Sequence, residues 1–119
     1  MYIDPEIKLD YKDVLLLPKR STLTSRADVD LMREHEFLHS KRKWKGIPIM
    51  TANMDTVATI EAAKVLSKNK LLTCLHKFYT SDELIAMSKK RFFRDCIPSI
   101  GIKDHDLEMV RKLKDNIDL

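Results

Sequence analysis

The chain has 119 residues, 44% hydrophobic and 34% charged, enough for one small domain with a core, and its net charge of +4 is modest. No apolar run approaches the roughly 18 residues of a membrane span, and Met1-Tyr2-Ile3-Asp4-Pro5-Glu6 lacks the basic start and apolar core of a secretory signal, so no membrane partner is expected. Cys74 and Cys96 both fall in apolar surroundings and read as two reduced, buried thiols of a cytoplasmic protein.

The first 46 residues are irregular. Leu9 to Leu17 mixes polar residues with the apolar run Val14-Leu15-Leu16-Leu17, which Pro18 ends. Ser21 to Ser25 is loop-like, and Val29 to Leu38 suggests a strand or short hairpin. Residues 1–46 are therefore expected to be an N-terminal extension that packs on the rest. Two basic runs stand out, Lys41-Arg42-Lys43-Trp44-Lys45 and Lys89-Lys90-Arg91 with Arg94. A basic run around an aromatic could touch nucleic acid. Yet the first run precedes a strand, acids are scattered elsewhere, and no Lys/Arg stripe follows one helix face, so solvated loops and no nucleic-acid partner are expected.

From Ile47 the pattern alternates strand and helix. Five of the six residues from Ile47 to Ala52 are apolar or Pro, which predicts a strand buried on both faces. Asn53 and Asp55 follow its carboxyl end, where parallel α/β sheets bind ligands. A helix is predicted over Thr56–Lys68, with Val57, Ile60, Ala63 and Val65-Leu66 on its inner face, Asp55 or Thr56 as cap, and Asn69 at its end in a left-handed conformation. Leu71–His76 is a second strand. Thr80 with Glu83 fits a capping box opening a second helix, with Leu84, Ile85, Met87 and Ser88 facing inward. Cys96–Ile102 reads as a third strand, Asp104 opens a third helix with Leu107, Val110 and Leu113 on one side, and Ile117-Asp118-Leu119 reads as a fourth strand just begun.

The strands start at 47, 71, 96 and 117, so each unit is one strand plus one helix crossover. Eight such units would come to roughly 200 residues or more, the size of a (β/α)8 barrel. Residues 47–119 are thus expected to be the first three βα units of a TIM barrel, an incomplete α/β domain whose open parallel edge needs cover.

Several residues carry candidate chemistry. Lys77, just past the second strand, suits an anionic ligand. Ser25 and Arg26 read as surface loop, although a guanidinium fork and a hydroxyl also suit a phosphate. Asp13 is a cap, a salt-bridge partner, or a carboxylate that holds Lys77 or shares its proton. Met54 is core or packs on a flat ring. Asn53 and Asp55 are read as ordering the turn and capping the helix, and His76 as making a structural hydrogen bond. His35, His39 and His105 have no ligand-like spacing, no zinc pattern occurs, and two glycines leave no Gly-rich phosphate loop, so no metal site is expected here.

The stretches Leu9-Asp10-Tyr11-Lys12-Asp13-Val14-Leu15-Leu16, Pro18-Lys19-Arg20-Ser21, Ser25-Arg26-Ala27-Asp28-Val29-Asp30-Leu31, Ile47-Pro48-Ile49 and Ala52-Asn53-Met54-Asp55-Thr56-Val57, followed by His76-Lys77 and Tyr79, resemble the family of IMP dehydrogenases and GMP reductases. The resemblance runs from about Lys8 to the C-terminus. Ala52-Asn53-Met54-Asp55 is similar to the reductase branch, while Leu17 and Phe78 depart from the Arg and His usual there. The resemblance implies a TIM barrel and an NADPH-dependent reductive deamination of GMP to IMP and ammonia. In that chemistry a cysteine thiolate attacks purine C2, ammonia leaves, and hydride reduces the resulting thioimidate. It further implies cofactor binding by Ser25, Arg26 and Lys77, auxiliary catalysis by Lys77 with Asp13, purine contact by Met54, a homotetramer, and a potassium ion bound elsewhere in the complete enzyme. Neither Cys74 nor Cys96 matches the family's nucleophile, so this stretch alone is expected to be inactive. The alternatives are the corresponding part of an IMP dehydrogenase, and a non-catalytic nucleotide-binding or interaction module.

Overall fold

The computed structural model describes residues 3–116. An antiparallel hairpin, β1 (Arg33–Glu36) and β2 (Lys43–Gly46), pairs Arg33 with Gly46 and Glu36 with Lys43. Its turn closes as Phe37 N–H donates to Arg42 O (3.0 Å) and Lys41 N–H to Phe37 O (2.9 Å), with Lys41 in the left-handed region at φ 55°. The first basic run is therefore mostly strand, which corrects the loop expectation. The reason is Trp44. Along β2 the side chains alternate exposed and buried, and Trp44 (7% exposed) turns inward, stacks with His35 and donates its indole N–H to Asp95 Oδ1 at 3.0 Å. Gly46 must be glycine, because a Cβ there would meet the Trp44 ring at 2.1 Å and the Lys70 carbonyl at 2.5 Å.

Three parallel strands follow in chain order: β3 (Met50–Thr51), β4 (Leu72–Leu75) and β5 (Cys96–Pro98). Met50 pairs with Leu72, Thr73 with Cys96, and Leu75 with Pro98. Helices α1 (Ile60–Lys68) and α2 (Ser81–Ser88) make the crossovers, and α3 (Asp104–Asn116) follows β5. All three deliver buried side chains to one cluster: Ile60 and Ala63 from α1, Leu84 from α2 and Leu113 from α3 meet Leu75, Phe93 and Cys96. The helices thus share one face of the sheet, as right-handed crossovers advancing in one direction require. By the pairing register, Met50, Leu72, Cys74 and Ile97 point to the other face. Thr73 is buried on the helix side, and its hydroxyl has no hydrogen-bond partner among the described residues.

The α/β reading holds in its alternation, with corrections to the bounds. The first strand is β3 alone, and it is not buried on both faces: Ile49 is 60% and Met50 53% exposed. Pro48 has no N–H to contribute, and among the described strands β3 pairs only with β4. α1 begins at Ile60, not Thr56, because the Met54 carbonyl accepts from Val57 N–H (3.1 Å) and Ala58 N–H (2.8 Å) in a separate turn. Thr59 is the cap, accepting from Ala62 N–H at 3.1 Å, and Val57 is left exposed. Asn69 ends the helix at φ −97°, while Lys70 takes the left-handed conformation at φ 56°. α2 carries the expected capping box in full. A 3-10 turn at Arg91–Asp95, unanticipated from sequence, inserts Phe93 into the core before β5. β5 ends at Pro98, and Ile102 is exposed. In α3 Leu107 is exposed and Met109 packs on the core instead. The strand anticipated at Ile117 lies outside the described residues. No helix among them is long and apolar enough to cross a membrane.

Candidate functional site at the carboxyl ends of the parallel strands

The three parallel strands end at Thr51, Leu75 and Pro98, and the residues just beyond them bring polar groups together. Asn53 Nδ2 donates to Ser99 Oγ at 3.2 Å, tying the segment after β3 to the segment after β5. Ser99 Oγ also lies 3.7 Å from Cys74 Sγ in a hydrogen bond, and Ser99 N–H donates to Leu75 O at 3.0 Å. Asn53 thus orders this end by bridging the segments that follow two strands, where the sequence suggested a role within its own turn. Ser99 was missed from the sequence. Its signal was there: it sits two residues beyond Ile97, the register partner of Cys74, on the same sheet face.

Between these ends His76 stacks on Tyr79 (centroids 4.2 Å apart), and its Nδ1 accepts from Phe78 N–H at 3.3 Å. This is the structural hydrogen bond expected of His76. Tyr79 Oη accepts from Ile60 N–H at 2.9 Å, so the β4–α2 connection also caps α1. Glu83 accepts from Thr80 N–H and Oγ, each at 2.8 Å. Those bonds, the backbone one foremost, hold its carboxyl below the ordinary 4.5, with a smaller pull from His76.

Lys77 is exposed at this rim, its ammonium 5.6 Å from the Phe78 ring centroid and in no ion pair among the described residues. Met54 is 54% exposed just past Asn53. Asp13 and Ser25 sit in two short 3-10 turns, at Tyr11–Asp13 and Arg26–Asp28, built alike by reciprocal capping boxes. Asp13 accepts from Asp10 N–H at 2.9 Å, and Ser25 Oγ accepts from Ala27 N–H at 3.2 Å. Arg26 is exposed in the second turn. No hydrogen bond or ion pair among the described residues joins Asp13, Ser25, Arg26, Met54 and Lys77 to one another. The rim of the sheet and the N-terminal turns are two separately built pieces.

The cysteines differ. Cys96 is buried, and burial, with the neighbouring Asp95 carboxylate, pushes its thiol up to about 12. Cys74 is only half-buried and free, which corrects the expectation of two buried thiols. Among the described residues no group of three or more His, Cys, Asp or Glu side chains could hold a metal ion.

Comparison with known proteins bears on this arrangement. The profile described as "IMP dehydrogenase / GMP reductase domain" matches residues 8–92. The chain is 49% identical over 116 residues to the GMP reductase of Onchocerca volvulus, covering 93% of this chain and 32% of that protein. It is 46% identical over 113 residues to GMP reductase 1 of Homo sapiens, covering 93% and 33%, and 44% identical over 116 residues to the GMP reductase of Klebsiella pneumoniae, covering 95% and 33%. The chain spans about a third of the length of the curated relatives it matches.

Proposed function

Because this chain belongs to the IMP dehydrogenase / GMP reductase family, we propose that it is part of a GMP reductase, an enzyme that converts GMP to IMP and ammonia using NADPH. The observation that carries this reading is the identity of 44% to 49%, over nearly the whole chain, with proteins named GMP reductase. The architecture supports it. With every helix core-facing on one side, the opposite face of Met50, Cys74 and Ile97 calls for cover, and closure into a (β/α)8 barrel would provide it. Packing of the extension, residues 1–46, against residues 47–119 is supported by two bonds: Trp44 to Asp95 at 3.0 Å, and the Arg42 guanidinium to the Arg94 carbonyl. A homotetramer belongs to the same reading, supported by the exposed run Leu15-Leu16-Leu17, which needs a partner surface, and a cytoplasmic location goes with it as part of the proposal.

The residues present fit a phosphate-bearing cofactor. Among the described residues Lys77 is an exposed ammonium without an ion pair, and Arg26 offers an exposed fork. Ser25 Oγ already accepts one bond, so its hydroxyl hydrogen is free to donate. NADPH, when bound, supplies the hydride. In this reading Lys77, Arg26 and Ser25 bind and orient it, and Met54 lies against the purine of GMP. Asp13 serves Lys77 by exchanging its bond to Asp10 N–H for the ammonium. In this reading the nucleophilic thiol belongs to another part of the complete enzyme: Cys96, held near 12, stays protonated at neutral pH, and Cys74 sits within β4 with its Sγ in a hydrogen bond to Ser99 Oγ. A monovalent cation is likewise assigned to the complete enzyme. Among the described residues no group of three or more His, Cys, Asp or Glu side chains could hold one.

The test is a steady-state assay of the full-length protein. GMP-dependent NADPH oxidation with release of ammonia is expected, whereas IMP-dependent reduction of NAD⁺ in its place would make the protein a dehydrogenase. Lys77→Ala should raise the KM for NADPH about tenfold, the loss of one charge-assisted contact. An Asp13→Asn enzyme that kept its full hydride-transfer rate would remove Asp13 from the mechanism.

A further inference from the structure

The two basic runs, some fifty residues apart in sequence, meet in space. The hairpin brings Arg42 and Lys43, the second half of α1 brings Lys64 and Lys68, and the 3-10 turn brings Arg91 and Arg94 to one groove of about 900 Å³. Arg42 and Arg94 are locked together there, because the Arg42 guanidinium donates to the Arg94 carbonyl. Eight Lys and Arg side chains line the groove against a single carboxylate, Asp95. That carboxylate is already committed: Oδ1 accepts from Trp44 at 3.0 Å and Oδ2 from Ser67 Oγ at 2.6 Å. Lys45 pairs with Glu34 at 3.0 Å, and the other seven cations have no ion pair among the described residues. Since the whole chain carries only +4, the remainder is net acidic and the positive charge is concentrated here.

The groove lies at the amino ends of the parallel strands. Lys70 comes just before β4, Asp95 immediately precedes β5, and α1 runs back from the carboxyl ends so that Lys64 and Lys68 reach the same end. It is thus at the opposite end of the sheet from Lys77 and Ser99. Like charges gathered in one concavity repel each other and focus a field that attracts anions. The volume is within the roughly 300–1,000 Å³ of small-ligand sites. The cations converge from several elements instead of tracking along one. Only one ring, the half-buried Phe92 beneath the Lys64 ammonium (5.9 Å), offers a stacking face, since Trp44 is buried. A single-stranded polynucleotide would call for a charged track with repeated aromatic platforms.

We propose that this groove binds a small ligand carrying a chain of phosphates, a nucleoside triphosphate or inorganic polyphosphate, at a site separate from the catalytic end of the sheet. Equilibrium dialysis of the full-length protein with inorganic tripolyphosphate and with ATP, at physiological salt, tests it. Saturable binding is expected, weakened about tenfold or more in the Lys64→Ala/Lys68→Ala double variant. Alanine keeps α1 favourable, so the fold should persist. Should that variant fail to fold, Arg91→Gln carries the same expectation. Lys114→Ala, outside both sites, should leave binding unchanged. Equal affinity for the two ligands would assign recognition to the phosphates alone, and tighter ATP would add the base. Absence of binding, or binding lost in Lys77→Ala but kept in the double variant, overturns the site. So does binding of an RNA oligomer that neither small ligand displaces.

Discussion

Burial decides the chemistry of Cys96. A thiol held near 12 is protonated through the physiological range and is a poor nucleophile. In native protein at pH 8, alkylation followed by peptide mapping should mark Cys74 well before Cys96, and Cys96 should react only on unfolding. The same shift sets a pH window for stability. The folded thiol titrates above its ordinary 9.0, so its contribution is intact below about pH 9 and is lost as pH rises toward 12. A denaturation midpoint that falls across that window in the native protein, and falls less in Cys96→Ala, would bear this out. Thr73 is the converse case, a buried hydroxyl with nothing to bond among the described residues. Thr73→Val keeps the shape and removes the unpaired polar group, and should raise stability by about 1 kcal/mol in chemical denaturation. Thr73 read from the sequence as one more strand residue, because an orphaned hydroxyl is defined only by what surrounds it.

At the scale of elements, local chemistry was legible wherever it was local. Thr80 and Glu83 announce the start of α2 because both halves of a capping box lie within four residues. Thr80→Ala should cost about 1 kcal/mol, measured as a lowered denaturation midpoint. Glu83 titrates below its ordinary 4.5, so its contribution is present above that value and is lost as pH falls through its lowered pKa. The Thr80→Ala penalty should therefore shrink in acid. The start of α1 was misplaced because Asp55, Thr56 and Thr59 are all competent caps, and the choice falls to contacts from elsewhere: Tyr79 Oη takes the Ile60 N–H, and Ala58 O accepts from His76 N–H at 3.4 Å. The hairpin was read partly as loop for a similar reason. Lysines suit a solvated surface, and only the burial of Trp44 against His35 and Asp95 makes Lys43–Gly46 a strand.

Across the whole molecule, apolar surface is left over. Leu15 and Leu16 are each 98% exposed, and the radius of gyration is 18.4 Å, against about 13–14 Å for a compact domain of this length. Patches of that kind are covered in functional proteins. The 119-residue polypeptide produced by itself should bind the dye ANS and melt without a sharp transition, whereas the full-length protein should do neither. A sharp, dye-free transition in the isolated chain would favour a self-sufficient interaction module.

The alternation of strand and helix, the capping box of α2 and the family were readable from the sequence alone, because periodicity, capping spacing and motif order are properties of neighbouring residues. The tertiary structure alone decided the side of the sheet on which the helices gather, the Asn53–Ser99 bridge across two strand ends, and the meeting of two basic runs around Asp95. Each depends on residues tens of positions apart, whose proximity is set by strand register and crossover handedness and by nothing in the local sequence.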